Sequence, residues 1–178
     1  IKNISTHCTR SEFVGTAVLD TIGLVISGVD DSLLKKMNVG TQYHCLGLFS
    51  SRTGAAGQIT AIDDAVKATN TEVLSIELPR DTKGWGGHGN YIVLGGNDVS
   101  DVRHAISLAL ELTNKYAGEV YISESGHLEF AFSASAGPAI HKAFGTPLGE
   151  AFGFMAGSPA AIGLVMADNA VKSAAVSI

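Results

Sequence analysis

The sequence predicts an α/β (α+β) chain made of two copies of one unit, each a small sheet flanked by helices. Three observations carry this. Two blocks of sequence recur in register, alternating apolar runs come in groups separated by turn residues, and one long segment carries a continuous apolar helical face.

The recurrence is specific. Leu46-Gly47-Leu48-Phe49 aligns with Phe152-Gly153-Phe154-Met155. Asp63-Asp64-Ala65-Val66-Lys67 aligns with Asp168-Asn169-Ala170-Val171-Lys172, with one residue fewer in the intervening turn. A weaker match joins Leu24 to Met37 with Leu128 to Phe144. Each has an alternating apolar run, a small-residue turn and a short helix with basic residues near its end.

In the first copy, Glu12 to Asp20 and Ile22 to Val29 read as strands, with Gly23 between them. Asp30 or Asp31 caps a short helix to Met37 by accepting backbone N–H bonds at its start. Gln42 to Phe49 is the next strand. Ala55 to Thr69 is helical, with Ile59, Ile62 and Val66 on one face. Thr71 to Leu78 has the β-branched content of a strand. Asp81 to Gly89 is a glycine loop, and Tyr91 to Leu94 a strand. Asn97 caps the clearest helix, whose face is Val99, Val102, Ile106, Ala109, Leu110 and Thr113.

In the second copy, Val120 to Ser123 and His127 to Phe132 are strands. Ser135 to Phe144 is a short helix with Pro138 in its first turn, where a missing N–H does no harm. Gly149 to Ala156 is a strand. Ser158 caps a helix that opens on Pro159 and runs to about Ser173, and Ala175 to Ile178 begins another strand. On repeat arithmetic this copy stops about 40 residues before its counterpart. The sequence is therefore expected to be part of a longer chain.

Composition narrows the function. The 178 residues are 46% hydrophobic and 16% charged, against an average of about 25% charged. Such a chain needs places to hide apolar surface, and extensive subunit contacts supply them. The net charge is −5 with no basic run, which excludes a nucleic-acid partner. Ala151 to Met166 is interrupted by Gly153, Gly157, Ser158, Pro159 and Gly163. It falls short of the ~20 apolar residues of a spanning helix, so no membrane partner is expected. Cys8 and Cys45 are far apart and no signal-like segment precedes them, which points to the cytoplasm.

Candidate chemistry is sparse. Gly84, Gly86 and Gly89 fit G-x-G-x-x-G, but a strand follows them where a dinucleotide site needs a helix N-terminus. The six histidines lack metal-ligand spacing, so no metal or cofactor is expected. Glu124-Ser125-Gly126-His127 has no nucleophile elbow. Asp63 and Asp64 read as surface or interface residues of a helix rather than a catalytic carboxylate pair.

Several longer segments carry a family resemblance. Asp168 to Ala174 resembles the DAMVKSANV segment of bacterial microcompartment shell (BMC) domains. Glu12 to Ala17, Ala65 to Val73, Ser75 to Lys83 and Leu94 to Val102 resemble tandem-domain shell proteins of the PduB and EtuB type. The resemblance covers nearly all of residues 12–178. It implies two tandem, circularly permuted BMC domains of ferredoxin-like architecture, 12–114 and 118–178, the second incomplete at its C-terminal side. It implies a structural protein rather than an enzyme. A homotrimer would form a pseudohexagonal tile, lying beside neighbouring shell proteins around encapsulated enzymes.

The same resemblance places the loop Asp81, Thr82, Lys83, Gly84, Trp85, Gly86, Gly87, His88, Gly89 at a pore for small polar metabolites such as an alcohol, diol or aldehyde. Lys83, Trp85 and His88 are the side chains that would gate or select, and a flexible hairpin loop is the alternative. It places Lys67, Asn70 and Lys172 at the tile edge, with an ordinary solvated lysine as the alternative for the two lysines. Ala175 stands where the first copy has Asn70. The rival reading of the whole chain is a small-ligand-binding α/β protein or enzyme using the Gly84–Gly89 loop.

Overall fold

A computed structural model of the chain describes residues 11–79, 89–117, 120–124, 126–159 and 161–178. Two sheets, both antiparallel throughout, divide the described strands. The first has the order β1-β2-β3-β5-β4, from β1 (Ser11–Ala17), β2 (Thr21–Ser27), β3 (Cys45–Ser51), β4 (Glu72–Glu77) and β5 (Asn90–Gly96). The second has the order β6-β7-β8, from β6 (Val120–Ser123), β7 (Gly126–Ser133) and β8 (Phe152–Ser158). The helices are α1 (Asp31–Lys36), α2 (Ala56–Lys67), α3 (Val99–Tyr116), α4 (Pro138–Phe144) and α5 (Ala161–Ser173).

The first sheet is covered on both faces because its strands alternate. Leu46 and Val93 point to one side, where they meet Leu34 of α1. Val25, Phe49, Ile92 and Leu94 point to the other, where they join Ile59, Ile62, Val102 and Ile106 of α2 and α3. Ala136, Ala139 and Ile140, which precede and open α4, complete that same cluster, so one core spans both copies of the repeat. α4 also supplies Phe144, which packs against this cluster with its ring 5.0 Å from Phe152 and 4.9 Å from Phe154 of β8.

Four sequence expectations shift. The β1–β2 turn is Val18–Asp20, with Leu19 and Asp20 at positive φ, and Gly23 lies inside β2. Gly23 is needed there for a close approach, since a Cβ would fall 2.5 Å from Ile106 of α3. The cap of α3 is Asp98 rather than Asn97. Asp98 is extended, and its carboxylate accepts the Ser100 N–H at 2.7 Å. Ser158 is the last residue of β8, α5 begins at Ala161, and Ala175–Ile178 forms no strand.

Burial differs sharply between counterpart helices. Ten of the twelve residues of α2 are buried, whereas α5 buries none. Leu164, Val165 and Val171 of α5 are exposed, as are Phe132 and Met155 on the second sheet.

Candidate functional site

The richest polar cluster among the described residues lies where the two copies of the repeat meet. It begins with a helix that lacks its own cap. The N-cap of α4 is Gly137, and Pro138 follows, so no side chain of that turn can accept the orphan N–H groups. Asp63 of α2 supplies the acceptor from 74 residues away. Its carboxylate takes the N–H of Gly137 at 2.8 Å, of Ala139 at 2.9 Å and of Ile140 at 3.1 Å, and it is fully buried. A carboxylate beside a helix N-terminus is also favoured by the helix dipole.

Lys67, one turn along α2, neutralises this buried charge. Its Nζ lies 2.8 Å from Asp63 and 3.3 Å from Asp64, and donates to the Ser135 carbonyl at 2.5 Å. Burial pulls the Lys67 pKa down, but hydrogen bonds and charge from Asp63 and Asp64 outweigh it, so the net shift is upward. Gly137 is small for this contact: a Cβ there would fall 2.3 Å from Lys67 Cε and 2.8 Å from both Asp63 oxygens.

A second carboxylate acts in the opposite direction. Glu129 of β7, also buried, accepts the Ala55 N–H at the start of α2 at 3.2 and 3.3 Å. Ala55 has no capping side chain of its own. Each copy therefore receives, from the other, the acceptor that one of its helices lacks.

An open groove of about 300 Å³ runs along this seam, lined by Thr60, Asp64, Lys67, Tyr116 and the Phe132–Ser135 segment. Its charged groups are already engaged with one another. Tyr116 donates to Asp64 at 2.7 Å, and that bond, then burial, then the Asp64 charge push its pKa up to about 12. Lys67 and Tyr116 are thus both held protonated at neutral pH, the opposite of what an amine nucleophile or a general base needs. Among the described residues no group of three His, Cys, Asp or Glu side chains could hold a metal ion.

The Tyr116 bond gives a pH-dependent expectation. Its folded pKa of about 12 exceeds the ordinary 10.0, so its contribution is complete below pH 10 and is lost as pH rises toward 12. Tyr116→Phe is expected to lower stability by about 1 kcal/mol below pH 10, a value reduced for partial exposure. Urea titrations across that range should show the gap to the parent closing.

The sequence candidates fall in different places. Asp81 to His88 of the glycine loop lie outside the described residues. Gly89, the loop's last residue, donates its N–H to the Pro79 carbonyl at 3.2 Å, at the β4–β5 end of the first sheet. Lys67 sits in the seam, its side chain 33% exposed. Asn70 is exposed just beyond α2. Lys172 is 70% exposed and pairs with Asp168 at 2.6 Å, one turn back on α5. Asp63, read from the sequence as a surface or interface residue of its helix, is buried between the two copies, and Glu129 and Tyr116 are not among the sequence candidates. The readable signal was the Gly137-Pro138 helix start, which leaves donors that some other segment must satisfy.

A BMC domain model matches residues 45–125. Bacterial microcompartment shell protein PduB of Citrobacter freundii is 54% identical over 171 residues, 96% of this chain and 63% of that protein. The crystal structure of a trimeric bacterial microcompartment shell protein PduB superposes with a TM-score of 0.86 at 49% identity, covering 92% of this chain and 72% of that one. The chain belongs to the bacterial microcompartment shell proteins. EtuB from Clostridium kluyveri, another solved structure, has a TM-score of 0.89 at 50% identity, with 96% of this chain and 73% of that one covered. The shell-protein chain thus spans somewhat under two thirds of the length of the Citrobacter relative.

Proposed function

We propose that the chain is a structural component of a microcompartment shell in the cytoplasm and not an enzyme. Two tandem permuted BMC domains, 12–114 and 118–178, place two similar patches in one chain, and three chains close them into a pseudohexagonal tile. The seam carries this reading. Its two buried carboxylates fix one copy of the repeat against the other, as a tile of repeated patches requires. A trimeric PduB of the same fold supports the oligomer.

Within the tile, the loop Asp81–Gly89 is assigned to the pore, where glycines let backbones approach the axis and leave N–H groups for small polar metabolites. Lys67, Asn70 and Lys172 are assigned to the edge, toward neighbouring shell proteins and with encapsulated enzymes behind them. Sedimentation velocity tests the reading. A species of three chains is expected. A monomer at every concentration, or turnover of an aldehyde or alcohol by the pure protein, would overturn it.

A further inference from the structure

The Glu129 contact reaches further than the start of α2. Gly54 O and Ala55 N are the two ends of one peptide unit. Glu129, from the second copy of the repeat, accepts the Ala55 N–H. At the other end of the same unit, the Gly54 carbonyl accepts from Asn90 Nδ2 at 3.2 Å and from Ser51 Oγ at 3.3 Å. Asn90 Nδ2 also donates to Ser51 Oγ at 2.6 Å, so carbonyl, hydroxyl and amide form a closed ring. Glu129, Ser51 and Asn90 are all buried.

This ring sits at the base of the glycine loop. Asn90 opens β5 directly after Gly89, the loop's last residue. A Cβ on Gly89 would fall 2.5 Å from the Ser51 carbonyl oxygen, so the loop ends against the residue whose hydroxyl Asn90 holds. Asn90 Oδ1 is buried with no partner among the described residues. An unpaired buried acceptor is costly, so what favours asparagine here is the N–H group at the other end of its amide.

The peptide unit can transmit a disturbance in two ways. It is planar and stiff, so a displacement of its N–H moves its carbonyl. A carboxylate on the N–H also polarises the unit and makes the carbonyl a better acceptor. Gly54 is what lets the carboxylate approach. Its φ is +74°, and a Cβ there would fall 2.8 Å from the Leu19 side chain and 3.1 Å from Glu129 Oε2.

We propose that Glu129 is a positioning residue for the stem of the glycine loop. Acting through the Gly54–Ala55 peptide, the second copy of the repeat sets how firmly Asn90, and with it Gly89, is held. The proposal deepens the pore assignment of the loop and rests on it for its consequence. In a tile, the placement of one copy against the other then bears on the base of the loop at the pore.

Hydrogen exchange at the Gly89 N–H, followed by NMR on the chain and on Asn90→Ala, Glu129→Ala, Glu129→Gln and Asp63→Asn, tests this. Asn90→Ala is expected to speed that exchange about tenfold beyond the global change in stability, the scale of one hydrogen bond. Glu129→Ala should speed it about threefold or more, and Glu129→Gln, which keeps an oxygen without the charge, by less. Asp63→Asn alters a buried carboxylate of the same seam without touching the Gly54–Ala55 peptide. It should move Gly89 only as far as the global change does. A urea double-mutant cycle on Glu129→Gln and Asn90→Ala gives a second readout, and serves where the alanine variant of Glu129 does not fold. The double variant should have a folding constant about threefold or more above the value that independent sites would give. Gly89 exchange that responds alike to the Glu129 and Asp63 variants, or strict additivity in the cycle, would overturn the coupling and leave the pore assignment standing. A solved trimer with Gly89 at its outer rim would instead overturn the pore assignment, and with it the role of Glu129 there.

Discussion

Asp63→Ala is expected to destabilise the fold by about 3–5 kcal/mol, the scale for removing one partner of a buried, hydrogen-bonded ion pair. The loss has two parts. Three N–H groups, of Gly137, Ala139 and Ile140, lose their acceptor in a place that excludes water. Lys67 keeps Asp64 and the Ser135 carbonyl but loses the closer of its two carboxylates. Against a total stability of about 5–15 kcal/mol, this is a large share. A thermal melt should fall by roughly 10 °C for a chain of this length. Asp63→Asn keeps an oxygen but aims an amide group at donors, so it should recover only part. Hydrogen exchange adds a local readout, because the α4 amides should lose protection beyond the global change. A melt within about a degree of the parent would remove Asp63 from any role in joining the two copies.

Asp63 also marks where a sequence stops being legible. The apolar stripe of α3 could be read from its spacing, and Val102, Ile106, Ala109, Leu110 and Thr113 are all buried. Local rules suffice there, because a helix repeats every 3.6 residues whatever it meets. Val99 shares that stripe yet is 43% exposed, since it lies in the first turn, at the edge of the contact. The move of the cap from Asn97 to Asp98 is a choice between neighbours of similar chemistry, settled by which side chain reaches the Ser100 N–H. The role of Asp63 obeys no local rule. Its partners lie 74 to 77 residues away, and only the docking of α4 on α2 turns a helix-surface aspartate into a buried cap. The same holds for Glu129 and Ala55. Family likeness, carried by long motifs such as Ala65 to Val73, was legible because those residues match without reference to a contact.

The other large effect expected is at Ile106, where α3 rests on two strand glycines. Ile106 is fully buried, and Cβ atoms built on Gly23 and Gly47 would fall 2.5 and 2.9 Å from its side chain. Ile106→Ala should therefore cost about 2–5 kcal/mol, the range for a cavity in a core that cannot collapse onto it. Gly47→Ala alone should cost about 1–3 kcal/mol, because the new methyl meets Ile106 and Val102 in a close-packed layer. The double variant separates packing from strand propensity. If the glycine exists to admit the isoleucine, the methyl at 47 enters space vacated at 106, and the pair should cost about 1–2 kcal/mol less than the sum of the singles. Strict additivity in a denaturant double-mutant cycle would show that the two sites do not share that volume. Gly153 is the control. It is the repeat counterpart of Gly47, yet a Cβ there meets nothing within 4 Å. Gly153→Ala should leave the melt of this chain unchanged, which isolates the helix above Gly47 as the cause of its cost.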